Sequence, residues 1–172
     1  MLTSLKKSQF KIFGEKGLPE NYPSPSGLKG LLFYIQRNLN MNTVVYVLNQ
    51  DLAGLINETT PLKVYWLKYT SGGNIQELNY IQNKLAFGYT SEKIDNHTFE
   101  ISMVSYNKLR FFLALNNSGG YNIITRINGK DAYLNNIYVY ADELGLFPDV
   151  KYIELYGTET NSHFPCYEKI LI

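Results

Sequence analysis

A chain of 172 residues has the length of one ordinary domain, and at that length folding buries roughly 70% of the surface of the unfolded chain, so no covalent staple is required. Lys and Arg total 16 against 15 Asp and Glu, a formal charge of +1 that removes the overall electrostatic case for nucleic acid or an anionic membrane. The single cysteine, Cys166, excludes an intrachain disulfide and any CxxC zinc or redox pair.

The N-terminal stretch Met1 to Lys29 reads as an extended arm. Gly14, Gly17, Pro19, Pro23, Pro25 and Gly27 interrupt every period, and each residue before a proline is biased toward extended backbone. The segment Pro23 to Gly27 is expected to lie across the domain or close one end of it. Lys6 and Lys7 are not followed by a continuous apolar run, so the opening residues do not make a secretory signal. The expectation is a soluble protein, either cytoplasmic or a trimmed exported form. No stretch approaches the roughly 18 apolar residues of a membrane span.

Residues 30 to 172 are expected to form one domain. Gly30 to Gln50 reads as two strands around an Asn-rich turn, with Leu31, Phe33 and Ile35 on one face and Leu32, Tyr34 and Gln36 on the other. Neither face is plainly polar, which places this strand centrally in a sheet. Leu62 to Thr70 is a further strand with Trp66 and Tyr65 on opposite faces. From Asn74 to Leu85 the apolar residues Ile75, Leu78, Ile81 and Leu85 fall at helical spacing, and Asn74 with Glu77 resembles a capping box, which predicts one helix.

Short strands follow at 87–92, 98–106, 109–115, 121–127, 130–141, 151–157 and 167–172. Asn128-Gly129 between two of them is a strong hairpin signal. The expected fold is mainly β, an antiparallel barrel, lipocalin-like in general shape, with the helix plugging an end or covering a face. A β-sandwich is the alternative, because alternation does not decide closure.

The composition carries 15 Tyr, 9 Phe and 1 Trp with only 18% charged residues. Tyrosine buries a ring and keeps a hydroxyl, which suits strand faces and pocket walls. Tyr34, Gln36, Tyr65 and Tyr69 come from neighbouring strands, while Arg37 and Trp66 occupy the opposite alternation. Rings edged by amide and guanidinium groups are what an amphipathic small molecule requires, so Tyr34, Gln36, Arg37, Trp66, Tyr69 and Tyr80 are the ligand-binding candidates. The same residues also suit a mixed core or an interaction surface.

Catalytic candidates are two sketches. His163 and Cys166 stand three residues apart as a base and a thiol, and Glu154 and Glu168 lie in the last two strands as a carboxylate pair. Alternation puts Glu154 on the face of Tyr152 and Tyr156. No metal constellation, phosphate loop, nucleophile elbow or dinucleotide fingerprint is present, so neither a metal nor a cofactor is expected. The balance leans toward a ligand-binding domain and away from an enzyme, with a protein-interaction module and a hydrolase using paired carboxylates as alternatives.

The strings FYIQRN (Phe33 to Asn38), VYW (Val64 to Trp66), ELNYIQ (Glu77 to Gln82), YIELYGT (Tyr152 to Thr158) and YEKI (Tyr167 to Ile170) resemble a family of single-domain proteins that carries a domain-of-unknown-function label. The resemblance runs from about Pro23 to the C-terminus. It implies a bacterial source and one domain, and brings no catalytic residues with it.

Overall fold

The computed structural model describes residues 22–143 and 148–172. The remainder of the arm, residues 1–21, lies outside the described residues. Eleven strands form one sheet: β1 (Leu31–Arg37), β2 (Asn40–Leu48), β3 (Leu62–Lys68), β4 (Asn74–Glu77), β5 (Tyr89–Asp95), β6 (Thr98–Met103), β7 (Phe111–Leu115), β8 (Tyr121–Ile127), β9 (Lys130–Asp142), β10 (Asp149–Glu159) and β11 (Pro165–Leu171).

The sheet is organised by β9. One of its edges carries β10 along Ala132 to Asp142. Its other edge is divided: Lys130 to Tyr133 pair with β8, and Asn136 to Val139 pair with β1. Two wings therefore leave the same edge, β1-β2-β3-β4 and β8-β7-β6-β5. At the division a bulge at Asn135 shifts the register against β10, and an extra residue reverses the in-out phase of a strand. Ala132 and Leu134 before it, and Ile137 after it, consequently all reach the same core. Gly157 lies opposite Leu134, where an added Cβ would meet the Tyr133 carbonyl and Ile127 Cδ1 at 2.6 Å.

The wings curl toward each other around a core that includes Phe33, Tyr46, Trp66, Phe99, Phe111 and Leu155. Phe33 stacks on Tyr46 at 4.2 Å and meets Phe111 of the opposite wing at 6.0 Å. Tyr89 joins β5 to the start of β3: its hydroxyl accepts from the Leu62 amide at 2.8 Å and donates to the Leu62 carbonyl at 2.7 Å. The edges of β4 and β5 do not pair. The result is a strongly curled open half-barrel, and this corrects the expectation of a closed antiparallel barrel. The β1–β9 pairing is parallel, another departure from the expected pattern.

The expected helix over Asn74 to Leu85 is also corrected. Gly72 and Gly73 both have positive φ and turn the chain back on β3, so Asn74–Glu77 becomes β4. Only Tyr80–Gln82 (α1) is α-helical, continued by one wider turn at Asn83–Phe87. The capping box belongs to Asn79 and Gln82 rather than Asn74 and Glu77. Spacing misled because Ile75, Ile81 and Leu85, the supposed buried stripe, are exposed. The hairpin at Asn128-Gly129 forms as expected, with φ of 52° and 78°, the left-handed pair of a tight two-residue turn.

Candidate ligand site at the open mouth

At the end of the half-barrel marked by Arg37, Ala141 and Val150, beneath the turn that follows β4, a cavity of about 430 Å³ forms a mouth. Ile35 and Arg37 of β1, Trp66 of β3, Val139 and Ala141 of β9 and Val150 of β10 form its floor and walls, and the turn carrying Ile81, Leu85 and Phe87 forms its rim. Strand alternation delivers these residues: Ile35 and Arg37 are two apart, as are Val139 and Ala141, so each pair shares a face. Asn38 locks the two strands at this end. Its side-chain amide donates to the Ala141 carbonyl and its Oδ1 accepts from the Ala141 amide, both at 2.9 Å, which continues the ladder beyond the last backbone pair.

Trp66 is the centre of the mouth. Its indole N–H donates to Gln82 Oε1 at 3.2 Å, and Phe87 packs edge-on against the ring at 5.1 Å. The Arg37 guanidinium lies 4.8 Å from the ring centroid and the Lys68 ammonium 4.3 Å. Burial pushes the Arg37 pKa below its ordinary value, opposed by Tyr22 and Glu143. Lys68 is lowered too, first by burial and then by the Arg37 charge. Arg37 Nη2 donates to Asn40 Oδ1 at 3.3 Å, and its buried Nε has no hydrogen-bond partner among the described residues.

The six ligand candidates do not share one place. Arg37 and Trp66 meet at the mouth. Tyr34 and Gln36 face the other side of β1, where residues 22–25 lie across them: Gln36 Nε2 donates to the Pro23 carbonyl at 2.9 Å and Tyr34 hydrogen-bonds Ser24. Tyr69 is in electrostatic reach of Tyr34, and burial raises its pKa. Tyr80 is exposed, its hydroxyl accepting from Lys84 Nζ at 2.9 Å. Sequence reasoning missed Val139, Ala141 and the Leu85-Ala86-Phe87 run. Alternation from Ile137 through Ala141 carried a signal for the first two.

A second polar centre lies on the opposite face of the sheet. Glu154 is fully buried, accepting from the Tyr156 hydroxyl at 2.7 Å and the Tyr167 hydroxyl at 2.9 Å. Tyr138, Tyr140 and Tyr152 complete the cluster, Tyr140 stacks on Tyr152 at 4.9 Å, and the Lys169 ammonium sits 3.8 Å from the Tyr152 centroid. Burial raises Tyr138 strongly, assisted by Tyr152; burial and the bond to Glu154 raise Tyr167. Glu168 is the register partner of Leu155, whereas Glu154 faces Lys169, so the two carboxylates lie on opposite faces. Glu168 accepts instead from the Asn128 amide at 2.6 Å.

The other catalytic sketch also separates. His163 is an exposed turn residue with φ of 59°, while Cys166 packs in the main core, where burial pushes its thiol up to about 11. That shift opposes the thiolate a nucleophile requires. Among the described residues no group of three or more His, Cys, Asp or Glu side chains is placed to hold a metal ion, and no helix is long and apolar enough to cross a membrane.

Fold and site define a class: a mainly β domain built on one curled, unclosed sheet with an apolar mouth. The chain belongs to the family described as Domain of unknown function (DUF4833), whose model matches residues 33–169, from the first core residue of β1 to near the end of β11. No curated protein and no solved structure matches it.

Proposed function

We propose that this domain binds a small molecule with an apolar body in the mouth of the half-barrel. The observation that carries this reading is the cavity itself, about 430 Å³ and walled largely by aliphatic and aromatic side chains. Ligand pockets commonly span about 300–1,000 Å³ with such walls and a few placed polar groups. At about 30 Å³ per water-sized group, a guest of on the order of fourteen heavy atoms fills it. The rim supports the reading, because Ile81 and Leu85 are exposed where a ligand would cover them.

Trp66 is the one tryptophan of the chain and lies in the cavity wall, so its emission reports occupancy directly. Titration with decanol is expected to give a saturable change in Trp66 fluorescence. Ala86→Phe, which adds a ring to the lining, is expected to weaken that binding at least tenfold with the circular dichroism spectrum retained. A linear, unsaturable response, or saturation indifferent to Ala86→Phe, would dismiss the pocket.

The β4 edge favours a second reading, a protein-interaction module. All its residues are exposed, including Ile75, and although the strand is only four residues long and ends in Glu77, it carries no proline, lysine or bulge. Concentration-dependent light scattering abolished by Ile75→Lys would support it.

A further inference from the structure

We infer that the guest of the mouth is an amphipathic anion, an apolar chain ending in one carboxylate that is seated on the Arg37 guanidinium. This rests on the pocket reading above and adds the chemistry of the head group.

Among the described residues lining the cavity, Arg37 alone bears a charge. A guanidinium in such a place ordinarily makes several charge-assisted bonds, and a buried donor left without one is destabilising. Among the described residues Arg37 makes one side-chain hydrogen bond, to the neutral Asn40 Oδ1, while Nε stays buried without a partner. Its ion pairing is also open: Glu143 acts on it through space, yet no ion pair within 4.0 Å joins Arg37 to a carboxylate among the described residues.

Lys68 sharpens the point. Two cations rest on one indole, and each is destabilised there by burial. Lys68 lies outside the lining, but like charges this close repel, and an anion bound at Arg37 offsets that repulsion. The Trp66 ring holds the guanidinium 4.8 Å from its centroid, and a guanidinium is the side chain best matched to a planar two-oxygen acceptor.

The rest of the lining limits how much charge the head carries. Gln82 Oε1 is already taken by the Trp66 indole and the Asn79 amide. Gln82 Nε2 and the Ser105 hydroxyl, the latter exposed at the margin, are the remaining polar groups of the wall among the described residues. A doubly charged phosphate needs more donors than this. A single carboxylate on an aliphatic chain matches both the fork and the apolar walls.

The test pairs decanoate with decanol at neutral pH, read by Trp66 fluorescence and calorimetry on the full chain. The unmodified protein is expected to bind decanoate at least tenfold more tightly than decanol, with the preference shrinking as salt rises. Arg37→Met is expected to abolish the preference, bringing decanoate down to the value that decanol shows with the same variant. Equal binding of the two in the unmodified protein would overturn the anion and spare the pocket. The comparison in the unmodified chain stands even if the variant misfolds. A preference that survives Arg37→Met in a folded variant would also overturn the assignment, and saturable binding of neither probe would remove the pocket together with it.

Discussion

The mouth holds the Arg37 guanidinium and the tyrosine face of β9 and β10 the Glu154 carboxyl, and the two places treat these groups in opposite ways. Glu154 is fully enclosed and its carboxyl accepts from two tyrosine hydroxyls supplied by its own sheet. Arg37 is only half-buried, stacked on Trp66, with a buried Nε left open among the described residues. A polar group whose partners are built in serves the architecture, because removing it strands those partners. A polar group left short of partners beside a cavity is poised for one from outside.

Substitutions break this contrast most sharply at Glu154. Glu154→Ala takes the shared acceptor from Tyr156 and Tyr167 and opens a void, so urea denaturation is expected to show a loss of about 3 kcal/mol. Retained stability would mean that the cluster is peripheral. The next effect is alkaline. Tyr138 and Tyr167 are raised above their ordinary 10.0 in the fold, mainly by burial, so the native state holds protons that the unfolded chain releases. Their contribution is therefore complete below pH 10.0 and declines as pH rises through the raised folded values. Denaturation midpoints at about pH 8 and about pH 11 are expected to fall across that interval, and Tyr167→Phe is expected to flatten the slope. The smallest effect belongs to the mouth: Arg37→Met keeps the packing against Trp66 and relieves an under-bonded cation, so stability is expected within about 1 kcal/mol of the parent. A large loss there would make Arg37 as structural as Glu154.

Much of this was legible from local pattern. The Leu31–Arg37 and Asn40–Leu48 hairpin follows from alternation, and Asn128-Gly129 follows from turn chemistry. Alternation also separated Tyr34 and Gln36 from Arg37, and put Glu154 beside Tyr152 and Tyr156. What it omitted was which face meets the mouth, since that depends on the bulge at Asn135 and on β1 pairing with β9. Tyr167 joins Glu154 through the β10–β11 register, which strand periodicity does not encode. The helix misreading has the same origin. Ile75, Leu78, Ile81 and Leu85 satisfy helical spacing, but Gly72 and Gly73 commit Asn74–Glu77 to a hairpin with β3 before that spacing can act.

The divided edge of β9 also sets the order of assembly. Asn38 and Ala141, which lock β1 to β9, are 103 residues apart in sequence, and closing a loop of that size costs on the order of 4 kcal/mol before any contact repays it. The hairpins of both wings, β1 to β4 and β5 to β9, need only short closures, so the joining of β1 to β9 is the step that carries the long one. Refolding should accordingly be slow for a chain of this size, limited by the meeting of two wings rather than by the making of either.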